Sequence, residues 1–253
     1  MNGIGFMALT EREVKRFLRV WQQTIIPPII TSVLFILIFG YSLGSKISSI
    51  GGVSYLGFII PGLLIMGVIM SAYSNTSSSL YISKFQGQVQ EYLVAPLNYW
   101  QIIFALTIAG VFRGVLVGLG ILVVGLLFTH IAVHSLLILI YFLLLVSLLF
   151  SFAGIATALW AANFDQMSVF ATFVITPLTY LGGVFYSISM LPPFWNTLAK
   201  FNPILYMVDG FRYGFIGVTD VPLWHSMLLV LVLTILFFGL CVGMFQKGYK
   251  LRT

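Results

Sequence analysis

An all-α integral membrane protein is what this sequence predicts, with six transmembrane helices, an N-terminal interfacial amphipathic helix and outer re-entrant half-helices. Three observations carry the prediction. Charged residues are only 7% of the 253 and hydrophobic residues are 60%, whereas soluble domains carry charge on roughly 25% of residues; the mean hydropathy of +1.09 agrees. The apolar residues fall in six runs, each near the ~20 residues that a helix needs to cross a bilayer. The formal charge of +6 gathers at the two chain ends and lines no long polar surface, which points to orientation against a membrane and away from nucleic acid. No stretch is polar enough for a soluble domain, so residues 1–253 read as a single transmembrane domain.

The first element is expected over about 9–21. Thr10 with Glu13 three residues on is a capping-box pattern for a helix start. Arg12, Lys15, Arg16 and Arg19 then share one face, and Val14, Phe17, Leu18 and Trp21 share another. Two stripes in register fit a helix lying among headgroups, its bases towards anionic lipid, better than a solvated charge run. No cleavable signal is expected here, because the basic region is long and no A-x-A-like site follows the first apolar run. Pro27-Pro28 breaks the direction, and spans are expected at about 25–43, 55–73, 101–128, 136–160, 166–186 and 223–245.

Orientation follows from the bases. With the N-terminus inside, Arg12, Lys15, Arg16, Arg19, Lys84, Lys247, Lys250 and Arg252 are cytoplasmic; Lys46, Lys200 and Arg212 are outside; Arg113 falls within a span. The bias is positive-inside, so both ends are expected in the cytoplasm.

Two connections are longer than the rest. The cytoplasmic one, about 74–100, carries Lys84 and Glu91. Within it Val89, Tyr92 and Leu93 can form the apolar side of a short helix, with Glu91 on another side and Pro96 beyond its end. Such a helix suits docking in a partner's groove; the alternative is a solvated turn. The outer connection, about 187–222, is rich in aromatics and punctuated by Pro192-Pro193 and Asn202-Pro203. Its apolar pieces, 194–201 and 204–215, are too short to span and read as re-entrant or interfacial half-helices. Pro192 and Pro203 would set their starts, and with Tyr206, Phe211 and Arg212 they are candidates for an outer gate. Pro61 and Pro177 interrupt the second and fifth spans, a pairing that can mark a transport path but is common in membrane helices.

Absences bound the chemistry. No G-x-x-x-x-G-K-[ST] occurs, so no phosphate-cradling loop is expected, and no H-E-x-x-H or comparable cluster marks a catalytic or metal site. His130 and His134 are spaced i, i+4 but offer only two ligands; membrane-edge polar residues are the better reading. The single cysteine, Cys241, excludes an intrachain disulfide and reads as a small buried or lipid-facing residue. Asp165, Asp209 and Asp220 fall in connections, which disfavours proton coupling. The one deep charge is Arg113, roughly 20 Å along its helix from Trp100. Gly110, Gly114 and Gly118 around it form a small-xxx-small pattern that admits a close helix. Arg113 is read either as a charge on a helix interface or translocation path, or as a structural pair with a group such as a helix carbonyl.

Several motifs in order resemble one family: Phe58-Ile59-Ile60-Pro61-Gly62-Leu63, Glu91-Tyr92-Leu93-Val94-Ala95-Pro96, Thr176-Pro177-Leu178-Thr179-Tyr180-Leu181-Gly182-Gly183-Val184-Phe185-Tyr186, Leu191-Pro192-Pro193-Phe194-Trp195, Asn202-Pro203 and Asp209-Gly210-Phe211-Arg212-Tyr213-Gly214. Over nearly the whole chain the sequence resembles ABC-2 type transport permeases, most nearly the YadH-like subgroup of bacterial inner-membrane permeases. The resemblance implies two permease chains assembled with two separate ATP-binding cassette subunits, which hold ATP and Mg, and export of lipids, polysaccharides or drugs. It also implies a coupling helix at about 84–96, an interfacial helix at 9–21 and outer re-entrant helices at 191–214. The rivals are an ATP-independent channel or secondary carrier, and a membrane-embedded lipid enzyme, which would need an acid, base or metal set that the sequence lacks.

Overall fold

Five helices among the described residues are long and apolar enough to cross a membrane. The computed structural model describes residues 3–44, 47, 49–130 and 132–250, with the backbone alone for Leu93; Lys46 and Arg252 lie outside the described residues. The chain opens with α1 (Gly3–Arg19), the single turn α2 (Trp21–Thr24) and α3 (Ile26–Ser42). A two-residue hairpin, β1 (Ser49–Ile50) and β2 (Val53–Ser54), leads into α4 (Tyr55–Phe85). Then come α5 (Val89–Val94), α6 (Tyr99–Phe128) and α7 (Leu136–Trp160). A broken stretch follows: α8 (Phe164–Phe170), a π-turn over Ala171–Ile175 and α9 (Thr176–Tyr180). The 3-10 turn Ile188–Met190, α10 (Pro193–Ala199), α11 (Pro203–Ile216) and α12 (Leu223–Gln246) complete the order.

α4 is the centre of the bundle. Of its most apolar stretch 83% is buried within the chain, against 17% for Trp21–Ser42 and 28% for α12. It packs chiefly on α6 and α7, and small residues allow it. Gly110, Gly114 and Gly118 of α6 lie against Thr76, Ala72, Val68 and Leu64 of α4, and Gly154 of α7 lies against Thr76. That is the close approach a small-xxx-small face permits where lipid gives no hydrophobic drive between helices.

Three expectations are corrected. The capping box at Thr10 is not a helix start, because α1 already runs from Gly3. The Thr10 hydroxyl donates to the Phe6 carbonyl at 2.8 Å, the usual refuge of a mid-helix hydroxyl, and Glu13 is buried against α4. Second, the helix expected to end at Tyr73 continues to Phe85. Its run of Ser, Asn and Thr over 74–79 reads as a loop by composition. The hydroxyls bond back to the helix, Thr76 to Ala72 at 3.3 Å and Ser78 to Ser74 at 2.6 Å, while Thr76 also donates to Ser151 of α7 at 2.9 Å. Third, the span expected at 166–186 is not one long helix. Pro177 has no N–H for a helical ladder; just before it Thr176 N donates five residues back to Ala171, forming the π-turn. Helix ends at Tyr180, and Gly183, at φ +74°, turns the chain.

Candidate functional site

One end of the bundle gathers α1, the end of α4, α5, the start of α6 and the ends of α7 and α12. Gly87, at φ +72°, reverses the chain out of α4, where a left-handed backbone favours glycine, and α5 folds back beneath it. Val89 and Tyr92, expected as the apolar side that docks in a partner's groove, instead face inward and are buried within this chain, while Glu91 and Pro96 are exposed; the side chain of Leu93 lies outside the described residues. The Tyr92 hydroxyl accepts from Arg12 Nη1 at 2.7 Å and lies 3.1 Å from the Ser83 hydroxyl. Burial holds the Tyr92 phenol above its ordinary pKa, so it stays protonated and able to donate to Ser83. Arg12 also donates to Gln88.

α1 is bolted to α4 through the same face. Glu13, only 1% exposed, accepts from the Ser79 hydroxyl and from Arg16 Nε at 3.2 Å. Arg16 Nη2 donates to the Asn75 carbonyl at 3.0 Å and its side-chain oxygen at 3.1 Å. A buried carboxylate is tolerable only with such partners. The expected basic face is therefore split: Arg12 and Arg16 turn to protein, while Lys15, paired with Glu11 at 2.5 Å, and Arg19 stay outward. Ile4, Met7 and Leu18 are exposed beside them. Lys84 is not on the outer side of α5; its ammonium is buried and donates to the Ala158, Leu159 and Ala161 carbonyls at 3.1–3.3 Å, closing the end of α7.

Two residues of the expected 84–96 segment had no role assigned to them from the sequence. Phe85, the last residue of α4, and Val94, the last of α5, are 82% and 87% exposed. Their signal was present: with Val89 and Tyr92 inward on a helix of six residues, positions 90, 91 and 94 share the opposite face.

Arg113 lies level with the α2–α3 junction. In a helix the Gln23 and Thr24 carbonyls would accept from residues 27 and 28, both prolines without an N–H. Arg113 Nη2 supplies the missing donor to Thr24 at 3.1 Å. Of the two readings above, the helix carbonyl is the contact this geometry contains.

At the opposite end α11 lies buried against α4, α7 and α12, with Phe211 inward against Phe215 and Tyr206 half-buried, its hydroxyl donating to Lys200 at 2.9 Å. Pro193 and Pro203 occupy the first turns of α10 and α11; Pro192 caps α10, and Asn202 caps α11 by accepting from Ile204 N at 3.0 Å. Arg212 is wholly inside: it donates to Gly183 at 2.5 Å, lies 3.8 Å over the Phe58 ring and approaches Asp209 at 4.0 Å. Asp209 accepts the backbone N–H of Asp220 at 3.0 Å and Val221 at 3.2 Å. Asp220 accepts the Ser187 hydroxyl at 2.5 Å and Ile188 N at 3.1 Å. These three side chains tie α4, α11 and the 183–188 and 217–222 segments into one node around a cavity of about 220 Å³. Asp209 was read as an acid of the outer connection and as part of a motif; the structure buries it on α11, at the i, i+3 spacing to Arg212 of a helix-face pair. His134 stacks edge-on against Tyr213 at 5.2 Å, and Cys241 is buried against α7, its thiol donating to the Phe152 carbonyl at 3.2 Å.

Residues 5–216 match the ABC-2 type transporter family. Over 250 residues the chain is 44% identical to the inner membrane transport permease YadH of Escherichia coli strain K12, covering 99% of this chain and 98% of that one. It is 27% identical over 180 residues to nodulation protein J of Rhizobium leguminosarum bv. trifolii, covering 70% of this chain and 68% of that protein.

Proposed function

Because the chain belongs to the ABC-2 type transporter family, we propose that it is the permease subunit of an ATP-binding cassette exporter, moving a lipid-like, polysaccharide or drug-like substrate across the bacterial cytoplasmic membrane. Two copies pair with two separate ATPase subunits, which hold ATP and Mg and supply the force. The observation that carries this reading is the α4–α5 turn, where Phe85, at the end of the most deeply buried helix, and Glu91 and Val94 of α5 are exposed. Exposed apolar anchors beside one charge suit a partner's groove, the anchors for affinity and the charge for register. A push on α5 passes through Tyr92 to Ser83 of α4 and to Arg12 of α1, so the central helix and α1 move with it. The name of the Escherichia coli relative supports both transport and the inner membrane.

The chain crosses the membrane six times, the broken stretch α8–α9 being the fifth crossing, with both ends in the cytoplasm. Lys15 and Arg19 of α1 face anionic headgroups there. α10 and α11 are half-helices of the outer leaflet, and Pro192, Pro203, Tyr206, Phe211 and Arg212 belong to the outer closure, which the Arg212–Asp209–Asp220 node holds shut.

The test reverses the proposed contact on the exposed face alone. Glu91→Arg with Val94→Asp should leave insertion and thermal stability unchanged, while co-purification of the ATPase subunit and ATP-driven transport fall at least tenfold. Wild-type association and transport in that variant would sink the coupling assignment.

A further inference from the structure

Between α7 and α12, beside the start of α8–α9, runs an apolar groove of about 790 Å³. Its floor is cut by small residues, Ala153 and Ala156 of α7 and Gly239 and Gly243 of α12. A Cβ on either glycine would meet nothing within 4 Å, so these glycines do not admit another helix of this chain; they leave a channel open on its surface. The groove's lining runs from half-buried Phe237 to Trp160, Tyr249 and Lys247, which are exposed where α7 and α12 end and form its mouth. An apolar channel closed by an aromatic pair and a cation repeats the profile of a bilayer leaflet, tails inside and headgroups at the belt.

The charges at the mouth are already sorted. Lys250 donates to the Trp160 carbonyl at 2.7 Å, and Lys84 donates to Ala158, Leu159 and Ala161. These two lysines satisfy the orphan carbonyls of α7 and offset the negative end of its dipole. Lys247 is exposed, and its ammonium has no hydrogen-bond or salt-bridge partner among the described residues. On α7, α8 and α12 together the sequence carries one acid, Asp165. The mouth is therefore cationic, with one ammonium uncommitted.

We propose that this groove is a binding site for one anionic phospholipid of the leaflet on the side of the chain ends, an acyl chain on the glycine–alanine floor and the phosphate at Lys247. That leaflet is the cytoplasmic one on the topology proposed above, where anionic lipid is concentrated. The rival occupant is a helix of a second copy, since Gly239 and Gly243 have the spacing that lets helices meet. A lipid is favoured because it alone brings an anion to Lys247, whereas an apolar helix would cover that ammonium with nothing to pair it.

The test uses the full chain in detergent micelles doped with phosphatidylglycerol or phosphatidylcholine, with bound lipid counted by native mass spectrometry. Phosphatidylglycerol should be retained over phosphatidylcholine. Lys247→Gln should reduce that preference about fivefold, since one base near a membrane surface contributes about 1 kcal/mol. Gly239→Leu with Gly243→Leu fills the groove in open space and should abolish retention of both lipids without lowering the melting temperature. Unchanged phosphatidylglycerol retention in either variant, or conversion of a dimer to a monomer by the leucines, would overturn the proposal. Retention in micelles is indifferent to which side is cytoplasmic, so a failed topology would relocate the leaflet and leave the site intact.

Discussion

Arg113 illustrates how a charge among apolar helices is explained by a missing backbone donor. Pro27 and Pro28 aim the chain from α2 into α3, and in doing so they strip the Thr24 carbonyl of its helical partner. Burying a carbonyl without one costs about 1–3 kcal/mol. Arg113→Ala should therefore lower stability by about that amount, read by thermal melting in detergent, while transport per folded complex stays at the wild-type rate. Restoring the N–H with Pro28→Ala in the same chain should recover most of the loss, since residue 28 then donates one turn back to Thr24. A transport defect that Pro28→Ala leaves unrepaired, in a chain of full stability, would place Arg113 on the substrate path instead. The charge itself was legible in the sequence, but its depth was not. α6 has 30 residues and is about 45 Å long, half again the ~30 Å hydrocarbon core. Counting from its first residue therefore overstates how far into the membrane Arg113 lies.

Elements were legible where one physical signal dominated. α6 and α7 are unbroken apolar runs, and the structure places them at Tyr99–Phe128 and Leu136–Trp160, against expectations of 101–128 and 136–160. α4 was misjudged because its lower half is polar by composition yet helical through hydroxyls that bond to its own carbonyls. α8–α9 was misjudged because hydropathy does not register a π-turn. The glycine stripe on α6 was read as a close contact, and its graded clearances now rank its members. A Cβ at Gly110 would stand 2.4 Å from the Ser151 hydroxyl oxygen and 2.8 Å from Thr76, whereas at Gly114 its nearest neighbours are 3.4 Å away. At Gly118 it meets the tips of Val68 and Leu64 at 3.0 and 3.2 Å, which can give. Gly110→Ala should then cost about 1–3 kcal/mol through overpacking, Gly118→Ala less, and Gly114→Ala close to nothing. Thermal melting of the three purified variants checks the order; equal stabilities would mean that the stripe is not a packing seam.

At the scale of the whole molecule the question is how many times the chain crosses, since an even number puts both ends on one side. Five long helices alone would separate them. α7 ends where α4 ends, as the Lys84 bonds require, and α12 finishes there too, with Lys250 on Trp160. α12 begins beside α11 at the other end, so residues 161–222 must travel the full length between. Two tyrosines of α4 measure that journey. The Tyr73 hydroxyl donates to Met167 at 3.3 Å and the Tyr55 hydroxyl to Phe185 at 3.1 Å. Eighteen residues separate Tyr55 from Tyr73, and eighteen separate Met167 from Phe185; along α4 that is about 27 Å at 1.5 Å per residue, close to the hydrocarbon thickness. On the proposed topology this stretch, which keeps pace with α4 over that distance, is the fifth crossing even though Pro177 and the π-turn break it. Cysteines introduced singly at Asp165 and Thr197, both exposed, test this in intact cells, with Cys241 buried and quiet. Thr197→Cys should react with a membrane-impermeant maleimide added outside, and Asp165→Cys only after permeabilisation. Labelling of both from the same side would mean that α8–α9 folds back without crossing, and the chain ends would then lie on opposite faces of the membrane.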